Sequence, residues 1–214
     1  MRLKGGRLVV FEGIDGSGKS TLLAHVSARL AEAGIDATTT REPTDTWLGT
    51  AVRKSIDSDA DAVSEALLFM ADHANHVRWV RGELAKDKLV VSDRWNDSCL
   101  AYQGATLAAA WERPPEEAIA YLEAVARPFD LAPHLVVWID VPPETAVARL
   151  AARTKQAKYE RAQFLAQVRA NYALLAERRG NYVRVDGARP LHEVEAQALA
   201  AITRVVGRPL GGSA

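Results

Sequence analysis

The sequence predicts an α/β fold built on a parallel sheet, and three observations carry that expectation. Short runs rich in β-branched and apolar residues, at 8–11, 37–40, 89–92, 135–139 and 182–185, alternate with longer stretches of helical spacing. Two of these runs, LVVS and LVVWI, are apolar at successive positions rather than at every second one, as strands covered on both faces must be. The first run leads directly into a glycine-rich turn and a helix, the order of a phosphate-binding strand, loop and helix.

Each helical stretch has its own signal. The stretch 20–33 closes at Gly34, and 47–55 is short. Over 61–86 an apolar stripe of Val63, Leu67, Met70, Ala74, Val77 and Leu84 predicts a long helix with one buried face. Helices follow at 116–126, 144–152, 161–177 and 191–206, the first two announced by Pro114–Pro115 and Pro142–Pro143, because proline is tolerated in a first turn. The polar, basic segment RTKQAKYER at 153–161 reads either as a solvated connection or as a cover over a site. No internal repeat or low-complexity tract interrupts the pattern. One domain is expected over 1–208, with a flexible tail at 209–214.

Composition narrows the partners. Lys plus Arg and Asp plus Glu both number 27 among 214 residues, so no global basic field exists to hold nucleic acid or an anionic membrane. Any bound anion must be held by local geometry. Cys99 is the single cysteine, which excludes an internal disulfide and a zinc site built on several thiolates. The apolar run after the N-terminus is too short for a signal core or a membrane span, and a soluble, cytoplasmic protein is expected.

The chemistry begins at VVFEGIDGSGKST, residues 9–21, where Gly13, Gly18, Lys19 and Ser20 form the pattern G-x-x-x-x-G-K-S between a strand and a helix. Glycines let the backbone curl so that successive N–H groups point at a phosphate, and the helix N-terminus adds partial positive charge. Lys19 then reaches the outer phosphates, and the Ser20 hydroxyl is placed to ligate magnesium. No Asn-Lys-x-Asp occurs, so a guanine-reading switch is not indicated. In LVVSDRW, Asp93 stands where a carboxylate would hold hydrated magnesium beside Ser20. Arg94 follows it, where many hydrolytic motors place a glutamate; its planar fork suits the phosphate of a second molecule, although a surface ion pair at a strand end would read the same way.

FEGIDGSGKST, REPTDT, EALLFMADHANHV, SDRWNDSCLAYQG and KYERAQFLAQVRANY, in this order and spacing, resemble the thymidylate kinase family, and EPTDTWLG with ADH is most similar to its archaeal members. The resemblance runs from about Leu8 to Tyr172. It implies a doubly wound sheet of five parallel strands in the order 2-3-1-4-5, transfer of a phosphoryl group from ATP to dTMP, magnesium, and a homodimer packed through helices.

The resemblance also assigns roles. Gly13, Ile14, Asp15, Gly16, Ser17, Gly18, Lys19, Ser20 and Thr21 cradle the ATP phosphates, with Ser20 and Asp93 toward the metal. Asp15 matches an aspartate that faces the acceptor sugar, although an aspartate in a turn also bonds its own backbone. Arg94 matches the arginine on the acceptor phosphate. Arg53 is either a second grip or a solvated charge at a helix end. Phe69 matches a phenylalanine stacked on thymine, and His73, one turn on, stands where an arginine often meets the base O4. Ser98 and Gln103 match residues at the polar edge of the base, Tyr102 one against the sugar, and Cys99 one that elsewhere makes a hydrogen bond; Trp95 replaces a tyrosine or histidine.

Gly16 sits where some members carry a P-loop arginine, so the resemblance moves that charge to a lid at about 150–161, which offers Arg149, Arg153, Lys155, Lys158 and Arg161. Arg153 is expected on the transferring phosphoryl group and Arg149 against the adenine face; Glu160 matches a lid acid near the acceptor sugar, or serves as a charge at a helix N-terminus. Rival readings are a kinase for another nucleoside monophosphate or a deoxynucleoside, and a nucleotide-binding module without turnover.

Overall fold

Each predicted β run forms a strand, and each strand extends one residue past its run, onto Glu12, Arg41, Asp93, Asp140 or Asp186. The charged end residues therefore gather at one edge of the sheet. The structure is a computed structural model that describes residues 5–58, 60–151, 158–207 and 210, without the side chains of 151 and 158–161. Strands β1 (Arg7–Glu12), β2 (Ala37–Arg41), β3 (Leu89–Asp93), β4 (Leu135–Asp140) and β5 (Tyr182–Asp186) form one parallel sheet in the order β2-β3-β1-β4-β5. This is the order that the family resemblance implies.

The helices are α1 (Lys19–Glu32), α2 (Trp47–Asp57), α3 (Ala62–Leu84), α4 (Asn96–Trp111), α5 (Pro115–Ala126), α6 (Pro143–Ala151), α7 (Lys158–Arg178) and α8 (Leu191–Val206). Local chemistry fixes several starts. Thr46 caps α2 by accepting the Gly49 N–H, Asp61 caps α3 by accepting the N–H groups of Val63 and Ser64, and Pro115 opens α5.

Side chains alternate along a strand, so β1 serves two cores. Val9 and Phe11 pack with Leu22, Val26 and Leu30 of α1 and with Val194, Ala198 and Ile202 of α8. Leu8 and Val10 face the other way, against Val77 and Val80 of α3 and against Trp95. Beyond β4 on that second side, Trp138 packs with Val168 and Tyr172 of α7.

Two expectations need correction. The stripe on α3 is rotated: Leu67 is 43% exposed, while Ala66, Met70, His73, Val77 and Val80 are buried, together with the polar Asp72 and His76. The predicted set counted apolar residues only, and four of the buried positions, Asp72, His73, His76 and Glu83, are polar. The second is α4, which the apolar pattern did not reveal as a helix. Nearly its whole circumference is buried, from Asn96 through Ala108, so it shows no alternation of wet and dry faces. Gly104 allows its close approach to α5: a Cβ there would lie 2.9 Å from Ile119 Cγ1.

In this topology β1 lies between β3 and β4, and the chain winds outward in both directions from it. Open α/β sheets bind ligands at that switch point, outside the carboxyl ends of the strands. The Gly-rich loop leaves β1 there, and Asp93 and Arg94 leave β3 beside it.

Candidate active site

The loop from Gly13 to Gly18 is shaped by positive φ angles of 146° at Gly13, 82° at Gly16 and 98° at Gly18, a region that only glycine enters freely. Two glycines are also required for space. A Cβ on Gly13 would stand 2.5 Å from the Ile139 carbonyl oxygen, and one on Gly16 would stand 2.5 Å from that of Ala146. Lys19 folds back over the loop, donating to the carbonyls of Gly13 (2.9 Å) and Ile14 (3.0 Å) and to Ser17 Oγ (3.4 Å). Its burial, reinforced by the Arg94 charge, pushes the ammonium down to about 7.

Ser20 Oγ donates to Asp93 Oδ2 at 2.8 Å, which joins the first turn of α1 to the end of β3. The other oxygen, Asp93 Oδ1, is buried and accepts no hydrogen bond among the described residues. A hydroxyl beside a carboxylate with a spare oxygen fits the donor set for a phosphate-bound magnesium ion.

Arg94 meets the loop from the opposite side. Its backbone adopts φ 72° and is held by its N–H donating to Phe11 O (2.9 Å) and by Ser92 Oγ donating to its carbonyl (2.6 Å). The guanidinium donates to Asp15 Oδ1 (2.6 Å), Ser98 Oγ (2.9 Å) and Gly13 O (3.4 Å), and it lies 5.0 Å above the Tyr102 ring. The Tyr102 hydroxyl accepts the Asp15 N–H at 2.7 Å. One arginine is thereby locked to the phosphate loop with its fork 16% exposed, buried enough to be fixed and open enough to receive an anion.

The remaining predicted residues divide between two places. Arg149 reaches over the loop, donating to the carbonyls of Ser17 (3.2 Å), Gly16 (3.4 Å) and Gly187 (2.9 Å), and it lines a cavity of about 610 Å³ with Asp15 to Leu22 of the loop and α1. Thr21 lines the same cavity. Along α4, Ser98 and Tyr102 share the face toward Arg94, whereas Cys99 and Gln103, also four residues apart, share the face toward α3. Cys99 packs with Ala66 and Met70 and against Phe69, and burial pushes its thiol well above the usual range. Gln103 Nε2 donates to Glu65 at 3.4 Å, while its buried Oε1 has no partner among the described residues.

Three side chains sit differently from what the resemblance implies. His73 is 1% exposed and bonded at both ring nitrogens, to Glu42 at 2.8 Å and to Asp130 at 3.1 Å, so neither is directed at a base. Ser98 is buried behind the arginine, contacting Glu12 and Tyr172. Arg53 donates to the carbonyls of Thr44 (2.9 Å) and Pro43 (3.3 Å), bracing the loop that follows β2. Arg153 and the side chain of Glu160 lie outside the described residues, as does most of the expected lid.

Sequence reasoning passed over Glu42, which accepts from His73 and His76 at 2.8 Å each, and Glu12, which lies beneath the Arg94 turn. Glu12 did carry a signal: a carboxylate ending an apolar run.

A Gly-rich loop at the switch point of a parallel sheet, a lysine folded into it, and a fixed arginine opposite define a P-loop nucleoside monophosphate kinase. The thymidylate kinase family model matches residues 11–198. The chain is 41% identical over 203 residues to a probable thymidylate kinase of Methanococcoides burtonii, covering 94% of this chain and 98% of the relative. It is 40% identical over 206 residues to one of Methanosarcina mazei (95% and 98% covered) and 46% identical over 172 residues to one of Natronomonas pharaonis (79% and 83% covered). The chain belongs to the thymidylate kinase family.

Proposed function

We propose that this protein transfers the γ-phosphoryl group of ATP to the phosphate of dTMP, giving dTDP and ADP. The observation that carries the reading is Arg94, ion-paired at 2.6 Å to Asp15 inside the phosphate loop, because a switch or hydrolase needs no second phosphate grip there. Loop amides and Lys19 hold the donor phosphates, Arg94 and Asp15 set the acceptor phosphate in line, and no covalent enzyme intermediate forms. An acceptor phosphate oxygen is already ionised, so no strong base is required. Magnesium, held through Ser20 and Asp93 with the donor phosphates, would neutralise their charge. Lys19, desolvated toward neutrality, regains its proton beside an anion, which ties donor binding to that charge.

Arg149 is assigned to the adenine side of the cavity, and Arg153 and Glu160, with the lid at 150–161, to closure over the phosphates. Phe69 and Gln103 are assigned to the base. The buried Gln103 Oε1, without a partner among the described residues, suits thymine, whose N3–H is a donor that cytosine lacks. Arg53 acts by bracing the loop after β2, and Cys99 by packing. Trp47, Ile56, Leu67 and Trp79 leave large apolar surfaces exposed on α2 and α3, which supports a homodimer joined through those helices. Among the described residues no helix is long and apolar enough to cross a membrane, and we assign the enzyme to the cytoplasm.

The test is ADP release from ATP with dTMP, dCMP, AMP or water as acceptor. ADP should form with dTMP and hardly at all without an acceptor; equal rates with all four would overturn the assignment.

A further inference from the structure

Glu12 ends β1 and is fully buried. Its Oε1 accepts the backbone N–H groups of Trp95 (2.9 Å) and Ser98 (3.2 Å), stitching down the turn in which Arg94 holds its positive φ. Its Oε2 lies 2.5 Å from Ser98 Oγ and 2.9 Å from the Tyr172 hydroxyl, and those two hydroxyls are 2.8 Å apart. Three oxygens thus make three mutual contacts of hydrogen-bond length. Each hydroxyl supplies one hydrogen. With an ionised carboxylate, two hydrogens serve three contacts and one pair of oxygens faces bare; with a proton on Oε2, every oxygen gives one hydrogen and takes one around the ring. Ser98 Oγ still has a lone pair left for the Arg94 Nη1 hydrogen at 2.9 Å.

We propose that Glu12 is a positioning residue that carries a proton on Oε2, and that this neutral form keeps the Arg94 charge available to the acceptor phosphate. The proposal rests on the dTMP reading above only in its second half. The groups facing Glu12 agree with it. Asp97 of α4 disfavours a second negative charge, and Tyr172 of α7 and Tyr182 of β5 are neutral phenols; Arg94 and Lys19 are the opposing cations. Burial and Asp97 outweigh Arg94 and push the carboxyl up to about 7. An ionised Glu12 would sit one hydroxyl away from Arg94 and compete with the acceptor anion for its charge. By linkage, acceptor binding above pH ~7 draws a proton onto Glu12.

Two measurements test this. Infrared difference spectra of wild type against Glu12→Gln at pH ~6, with no nucleotide present, should show the carbonyl stretch of a protonated acid in wild type; its absence overturns the proposal whatever the acceptor is. Calorimetry of dTMP binding at pH ~8, in buffers of different ionisation heat, should show larger proton uptake in wild type than in Glu12→Gln, any uptake common to the two belonging to Lys19. The dTMP phosphate, with its second pKa near about 6, is already dianionic there. Between pH ~7 and ~9 the wild-type KM for dTMP should rise on the order of tenfold, the worth of one pKa unit, and the Gln variant's should stay flat. Equal uptake, or equal pH dependence, in the two proteins overturns the coupling to Arg94. Tyr172→Phe provides an independent check if Glu12→Gln does not fold: it leaves one contact, which the Ser98 hydrogen fills alone, so the infrared acid band should be lost at a lower pH than in wild type; an unmoved band overturns the hydrogen count.

Discussion

At His73 both ring nitrogens face carboxylates, Glu42 at 2.8 Å and Asp130 at 3.1 Å, so the ring donates twice and is an imidazolium. Burial alone would lower its pKa, but the two carboxylates prevail and raise it to about 10. A group raised in the folded state stabilises fully below its unfolded pKa, near about 6.5, and loses that contribution as pH climbs through the folded value. Urea unfolding should therefore show stability falling between pH ~6.5 and ~10, by on the order of 4 kcal/mol, with His73→Gln removing most of the slope; an equal slope in both proteins would contradict the pairing. The family resemblance set His73 one turn from Phe69 and toward the base, and nothing in the sequence hinted at its partners, which lie 31 and 57 residues away. At Tyr102, Phe substitution removes the acceptor for the Asp15 N–H while keeping a ring beneath Arg94. It should weaken dTMP binding and cost about 1 kcal/mol of stability, read by calorimetry and thermal melting. Lys19, Ser20, Asp93 and Arg94 were legible because loop and strand-end chemistry is local, whereas Asp15 was singled out by the family resemblance. The partners of Ser98 and Glu12 were not, because they come from three separate elements.

At the level of elements, the strands were legible to within a residue or two: β3 and β4 because runs covered on both faces must be continuously apolar, β2 and β5 from their β-branched residues between helical stretches. The same logic hid α4: a helix buried all round has no wet and dry faces to tell apart, and Asn96, Asp97, Ser98 and Gln103 interrupt its apolar residues. They are tolerated because each has a contact inside, such as Arg179 on Asp97 and Asp130 on Asn96. The loop between β2 and α2 depends on a second tight approach. A Cβ on Gly49 would fall 1.9 Å from the Thr44 carbonyl oxygen, a contact with backbone that cannot yield cheaply. Gly49→Ala should push α2 away from residues 43–46, cost more than ~2 kcal/mol in a denaturant titration, and raise the KM for dTMP by loosening Arg53; a wild-type midpoint would contradict that packing.

For the molecule as a whole, a formal charge of zero leaves anion binding to local geometry, and the geometry gathers at the carboxyl edge of the sheet. Composition and alternation indicated the fold class, but the strand order followed from the family resemblance, because pairing between distant strands leaves no local trace. The exposed faces of α2 and α3 carry the prediction of assembly: Leu67→Glu with Trp79→Glu should halve the mass found by light scattering, and an unchanged mass would move the interface elsewhere. The central claim is that two nucleotide anions meet between a main-chain amide loop and one fixed guanidinium. Titrating Arg94→Ala with ATP and with dTMP in a calorimeter tests it most directly. The account predicts an ATP affinity within about threefold of wild type and a dTMP affinity weakened by about a hundredfold or more, the scale of a lost charge-assisted fork. Collapse of ATP binding, or undiminished dTMP binding, would contradict it.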